Sequence, residues 1–285
     1  MSSDNSPQSV QLSAGKNAAE EKSPRDSNRL LVFSSGAVIG SLGGLIGLGG
    51  AEFRLPLLIG VFGFGALEAI ILNKAMSLIV VAVALPFRTA SVPLMALVAR
   101  GDIIFTLLAG SMAGAWFGAD WATRLNSQTL YRCIAILLLA IAAVLFWGHA
   151  FLQGPAFLTG WPLVPLGVLA GAGIGIVAAI LGVAGGELLI PTIMILYGVD
   201  IKLAGSLSLV VSLPTMITAF SRYRRDNSFK VIKVQRGFIL LMAIGSMIGA
   251  FVGGQLLGVV PAGTLHPLLS VILIISSIKI WRHAH

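Results

Sequence analysis

The sequence predicts an all-α polytopic membrane protein built from two inverted repeats, each a glycine-broken helical hairpin followed by three transmembrane helices. Three observations lead there: an apolar composition laid out in long uncharged runs, a repeat spaced 135 residues apart, and Lys and Arg gathered on one set of loops.

The chain has 285 residues, a mean hydropathy of +0.94, 56% hydrophobic and 11% charged residues. An ordinary soluble domain is roughly 25% charged. Uncharged runs at 31–51, 103–119, 203–221 and 237–265 approach or exceed the ~17–25 residues of a spanning helix. Alternating segments of about ten residues, the mark of a β-barrel, are missing. The net charge of +8 does not point to nucleic acid, because the basic residues fall between apolar runs and act as topology signals. Cys133 is the single cysteine, which excludes an intrachain disulfide and a cysteine-based metal site; inside an apolar run it reads as a packing residue.

Residues 1–29 are polar, Ser-rich and of mixed charge, and read as a disordered cytoplasmic tail. The apolar stretch that follows begins too late for a signal peptide and continues into the body.

The first unit, 30–148, opens with a hairpin over about 30–69 that contains "GLIGLGGAEFRLP" (44–56). The second unit, 162–281, contains "AILGVAGGELLIP" (179–191), which sets Gly50 on Gly185, Glu52 on Glu187 and Pro56 on Pro191. "GSMAGAWFGAD" at Gly110 matches "GSMIGAFVGGQ" at Gly245, and "AMSLIVV" at Ala75 is paired with "GSLSLVV" at Gly205 after a loop length change. Three ordinary helices follow each hairpin: 75–97, 103–124 and 129–148, then 203–221, 236–258 and 264–281.

Orientation follows from Lys and Arg. The loop 221–236 carries Arg222, Arg224, Arg225, Lys230, Lys233 and Arg236 and belongs in the cytoplasm. Cys133 through Ile201 contains neither Lys nor Arg, so the linker 149–161 is external. With three helices per unit, each hairpin must begin and end on one side, either re-entering or crossing twice. The repeats are then inverted, with both termini, Lys74 and the segment 282–285 cytoplasmic.

Gly and Pro in a spanning segment release backbone groups that lipid cannot satisfy, so the broken stretches belong in the protein interior around a cavity. Their free amides favour an anion, and paired broken helices in inverted repeats are a feature of secondary transporters.

"GLIGLGGAEFRLPLL" and "AILGVAGGELLIPTI", together with Ala-x-Ser-Leu at 75–78 and 204–207, resemble the paired Gly-Gly-x-x-x-x-Pro pattern of the sulfite exporter family, TauE/SafE. The resemblance covers residues 30–281. It implies a multi-pass cell-membrane protein that exports sulfite, sulfoacetate or a related sulfur anion. Ala51 and Ala184 depart from the commoner Gly-Gly-Gly, and their methyls narrow the cavity slightly.

Glu52 and Glu187 occupy matching positions in the breaks. An intramembrane carboxylate is costly, so they read as coupling residues that exchange a proton, or as caps on the half-helix amides. Arg54 and Arg88 have no basic counterparts, since the repeat sets Leu189 opposite Arg54 and Pro214 or a neighbour opposite Arg88. A guanidinium matches an oxyanion; otherwise Arg54 pairs with Glu52, and Arg88 reaches to the interface. With Gly49, Gly50, Gly185, Gly186, Ser77 and Ser206 these arginines form the expected substrate site. Ser77 and Ser206 are equally suited to bonding their own helices. Asn73 and Lys74 read as a cytoplasmic entrance or a positive-inside anchor. The spaced glycines Gly36, Gly40, Gly44, Gly171 and Gly175 read as close-packing faces.

No nucleophile–base pair, P-loop or His/Cys cluster is present, so no catalytic residue, metal or cofactor is expected. The partners are a small anion and the lipid bilayer; nucleic acid is not one, and the sequence is compatible with a homo-oligomer without setting its copy number. A carboxylate carrier on the same scaffold and a membrane scaffold protein without transport activity remain the alternatives.

Overall fold

In the computed structural model, residues 29–46, 50–89, 94–151, 162–255 and 262–283 are described. The expected tail up to residue 28, most of the linker 149–161 and the last two residues lie outside them. Twelve α-helices occur among the described residues: α1 (Arg29–Ile46), α2 (Ala51–Gly60), α3 (Ala66–Thr89), α4 (Leu94–Val98), α5 (Gly101–Arg124), α6 (Ser127–Phe151), α7 (Leu163–Leu181), α8 (Gly186–Tyr197), α9 (Ile201–Tyr223), α10 (Lys230–Val234), α11 (Arg236–Gln255) and α12 (Ala262–His283). Six are long and apolar enough to span a membrane by themselves: α3, α5, α6, α7, α9 and α11.

The first six helices recur as the last six, with starts 134–136 residues apart. Even the short α4 has its copy in α10. Two expectations change accordingly. The helix expected at 75–97 begins at Ala66 and ends at Thr89, because Glu68 in its first turn suits a helix N-terminus and Lys74 is covered by protein. No loop length change separates the copies at this point, so helix starts put Ala75 opposite Val210 rather than Gly205, and Arg88 opposite Tyr223 rather than Pro214.

The copies interlock through glycine. Gly36, Gly40 and Gly44 of α1 meet Met242, Ser246 and Ala250 of α11 in order, and Gly110, Gly114 and Gly118 of α5 meet Val168, Ala172 and Ile176 of α7 in order. A methyl at Gly40 would run into the Ser246 carbonyl, and one at Gly114 into the Ala172 carbonyl; these backbones approach closely because no side chain stands between them. Each pair runs in one direction. α6 and α12 run oppositely, since Ser277 donates to the Ala135 carbonyl at 2.7 Å and Arg132 lies over Trp281.

The hairpins turn back. Gly50 lies beside Ile39 and Gly43, and Gly60 lies beside Lys279 near the end of α12, so α2 returns to the end of the bundle from which α1 set out. Likewise Gly185 lies beside Ala178, and Tyr197 at the end of α8 lies beside Gly167 near the start of α7. Ten residues of α2 span about 15 Å, half a hydrocarbon core of ~30 Å. α3 and α9 are the most buried spans and pack against each other between the hairpins.

Candidate functional site

The half-helices α2 and α8 begin alike. Gly50 and Gly185 are their N-caps, with φ of 68° and 84°, and no side chain caps either helix. That left-handed backbone favours glycine and leaves amides of the first turn open. Glu52 and Glu187 are the second residues, and Pro56 and Pro191 the sixth. A proline has no N–H, so the carbonyl four residues earlier, that of the same glutamate, loses its helical donor. Each tip thus concentrates amides, a carboxyl and a carbonyl where a spanning helix would have none exposed.

The two carboxyls are buried, Glu52 at 0% and Glu187 at 3% exposure. Among the described residues none of their four oxygens has a hydrogen-bond partner, yet the two groups lie within hydrogen-bonding reach of each other. Each also lies near its own backbone amide without forming a cap bond. The tips of the two hairpins therefore meet through these side chains.

Arg54, one turn into α2, is fully buried. Its Nη1 donates to Asn73 Oδ1 at 3.5 Å and Ser77 Oγ at 3.4 Å, its Nη2 to Ser246 Oγ at 3.4 Å, and its Nε has no partner. The expected ion pair with Glu52 is not formed; among the described residues ion pairs join Asp120 to Arg124 and Arg222, at the ends of α5 and α9. A guanidinium held by long bonds to three neutral oxygens retains most of its capacity for an anion.

Asn73 and Lys74 of α3 tie the breaks together. Asn73 Nδ2 donates to the Ala51 carbonyl at 2.9 Å and the Leu181 carbonyl at 3.1 Å, bridging both hairpins. Lys74 Nζ donates to the Ala178 carbonyl at 2.7 Å and the Val183 carbonyl at 2.6 Å, where α7 ends on Gly182. Lys74 is 1% exposed, which corrects the expectation of a cytoplasmic anchor: its amine rests on the carbonyl end of α7, the favoured place for a cation. Tyr223, also buried, donates to the neighbouring Ala179 carbonyl at 3.0 Å.

Of the expected site residues, Arg54, Ser77, Gly50, Glu52, Gly185, Gly186 and Glu187 cluster around the two breaks. Ser206, also buried, bonds the Lys202 carbonyl of its own helix at 3.1 Å. Gly49 and the side chain of Arg88 lie outside the described residues. Ser246 was not expected; it sits in the repeated Gly-Ser-Met segment, and its counterpart Ser111 shares a hydrogen bond of 2.7 Å with Thr215. By helix starts, the second copy places Leu189, Ser208, Leu209 and Ser212 where the first has Arg54, Asn73, Lys74 and Ser77. Among the described residues both buried basic side chains, Arg54 and Lys74, therefore come from the first copy, and the interior is electrically lopsided.

A family model described as Sulfite exporter TauE/SafE matches residues 7–145 and 99–280. No curated protein matches the chain, and no solved structure does.

Proposed function

The chain belongs to the TauE/SafE sulfite exporter family, multi-pass membrane transporters of sulfur anions rather than enzymes, and on that premise we propose that it is a proton-coupled secondary transporter, an exporter, of sulfite or a small organosulfonate. The single observation carrying this reading is the buried Arg54, beside an open half-helix N-terminus and bonded only to neutral oxygens.

A sulfur oxyanion presents several oxygens to a planar fork of N–H donors, and first-turn amides add further donors from the helix end. Ser77 and Ser246, which accept from Arg54, can turn their hydroxyls toward an anion that takes their place. Asn73 keeps the break in shape through its two backbone contacts. In this reading Gly50, Gly185 and Gly186 let backbone approach the anion, and Glu52 and Glu187 carry the coupling proton.

Since α1 and α11 start at one end of the bundle and α7 at the other, the repeats are read as inverted, with each hairpin re-entrant from its own side. The basic 222–236 segment, the 124–132 segment and the helix ends near both termini share one end, which the positive-inside rule assigns to the cytoplasm of a cell membrane. The two units then rock about α3 and α9, giving access to Arg54 from alternate sides.

The test is flux of labelled sulfite, sulfoacetate, sulfate and acetate in proteoliposomes under imposed pH gradients. The reading expects saturable, pH-gradient-dependent flux of a sulfur anion. Flux of acetate alone would favour the carboxylate carrier, and flux of none would overturn transport of these anions.

A further inference from the structure

We propose that Glu52 and Glu187 act as one proton site, in which a single proton bridges the two carboxyls, fastens the hairpin tips together, and enters with one monovalent anion at Arg54. The coupling half of this inference rests on the transporter reading above; the bridge itself does not.

The geometry of the tips carries the bridge. The four buried carboxyl oxygens have no hydrogen-bond partner among the described residues, and the two groups lie within hydrogen-bonding reach of each other. Two carboxylates in contact away from water repel strongly and leave each other's lone pairs unsatisfied. One proton between them turns the contact into a charge-assisted O–H···O⁻ bond, among the stronger kinds. Two protons would leave a neutral pair; one is enough to supply the missing donor.

The neighbouring charges set the stoichiometry. Among the described residues, Arg54 on α2 and Lys74 on α3 are the cationic groups near the pair. Neither is within ion-pair distance of it, and Lys74 is already committed to two carbonyls. α7 contains no ionisable side chain, those of α1 and α11 are confined to their first residues, and those of α8 and α9 lie at helix ends. With both carboxyls ionised and Lys74 protonated, two negative charges balance two cations. With one proton on the bridge the interior carries one net positive charge, which a monoanion at Arg54 cancels. A low-dielectric interior favours the two neutral combinations over the charged ones, so proton and anion enter and leave together. On release the bridging O–H bond breaks, the proton passes to water on the open side, and the two carboxylates separate the hairpin tips. Transport is electroneutral, and its direction follows the product of the proton and anion gradients, which allows export of an acid that accumulates inside.

Two measurements test this on the full-length protein. The first is infrared difference spectroscopy of purified protein saturated with methanesulfonate or sulfite, at neutral pH in H2O and D2O. The expected result is a protonated-carboxyl C=O band that shifts in D2O and disappears in both Glu52→Gln and Glu187→Gln, because the amide N–H of Gln replaces the bridging O–H. Absence of the band in the wild type, or its persistence in either variant, overturns the bridge. The second is flux of methanesulfonate, a monoanion at any working pH, in proteoliposomes with the membrane potential clamped by valinomycin and K⁺. Wild-type flux should ignore the potential and carry one proton per anion; either Gln variant should make residual flux potential-driven and independent of pH. Potential-driven wild-type flux, or a ratio other than one, overturns the coupling. If methanesulfonate does not move at all, the transporter reading fails for this anion while the infrared result still decides the bridge.

Discussion

Replacing Arg54 is the most direct perturbation of the proposed anion site. In the resting structure this side chain makes three hydrogen bonds of 3.4–3.5 Å, all to neutral acceptors, so removing it breaks no ion pair. Asn73 keeps its bonds to the Ala51 and Leu181 carbonyls, and the Ser77 and Ser246 hydroxyls are free to rotate toward their own helices. Arg54→Gln should therefore insert and fold. What it loses is the interaction with the anion. A hydrogen bond to a charged group contributes about 1.5–3 kcal/mol, and the guanidinium supplies such bonds in a fixed fork. Arg54→Lys keeps the charge without the fork, so anion affinity should fall by about 1–3 kcal/mol, about 5- to 150-fold at 1.4 kcal/mol per tenfold. Arg54→Gln should abolish measurable binding. Equilibrium binding of labelled sulfite and sulfoacetate to the detergent-solubilised variants gives the comparison. Unchanged affinity in the Gln variant would refute the argument and move attention to Arg88.

Three further outcomes are expected. Lys74→Met leaves the Val183 carbonyl without its donor, whereas the Ala178 carbonyl still accepts from the Val183 amide; one orphaned acceptor costs about 1–3 kcal/mol, read as a lower melting temperature and faster amide exchange at 182–186. Gly114→Ala drives a methyl into the Ala172 carbonyl, while Gly173→Ala meets nothing within 4 Å. Thermal unfolding should show the first destabilised by about 1–3 kcal/mol and the second unchanged or stabilised by up to about 1 kcal/mol. In a Cys133→Ala background, Ser127→Cys and Asn227→Cys should react with an impermeant thiol reagent only from the cytoplasmic side and Gln153→Cys only from outside; external labelling of Asn227→Cys would overturn the inverted arrangement.

The membrane class, the duplication and the two breaks were all legible in the sequence, because each rests on local pattern. Long uncharged runs report a lipid environment directly, and Gly50–Pro56 against Gly185–Pro191 repeats within a few residues the chemistry that interrupts a helix. Arg54 was legible as a candidate because a lone cation in a duplicated core stands out against its partner Leu189. The roles around it were not. Lys74 next to a helix start reads like an interfacial anchor; only the carbonyls of Ala178 and Val183, more than a hundred residues away, make it an interior cap. Ser206 and Ser246 look equally available in the sequence, yet one bonds its own helix and the other reaches Arg54, a choice set by the face each helix turns inward. The meeting of Glu52 with Glu187 depends in the same way on how the copies interlock. Helix breaks and spans follow from short-range backbone chemistry, which the sequence carries residue by residue. Which donor meets which acceptor across the two halves follows from the close glycine packing of α1 on α11 and α5 on α7, and that exists only once the chain has folded.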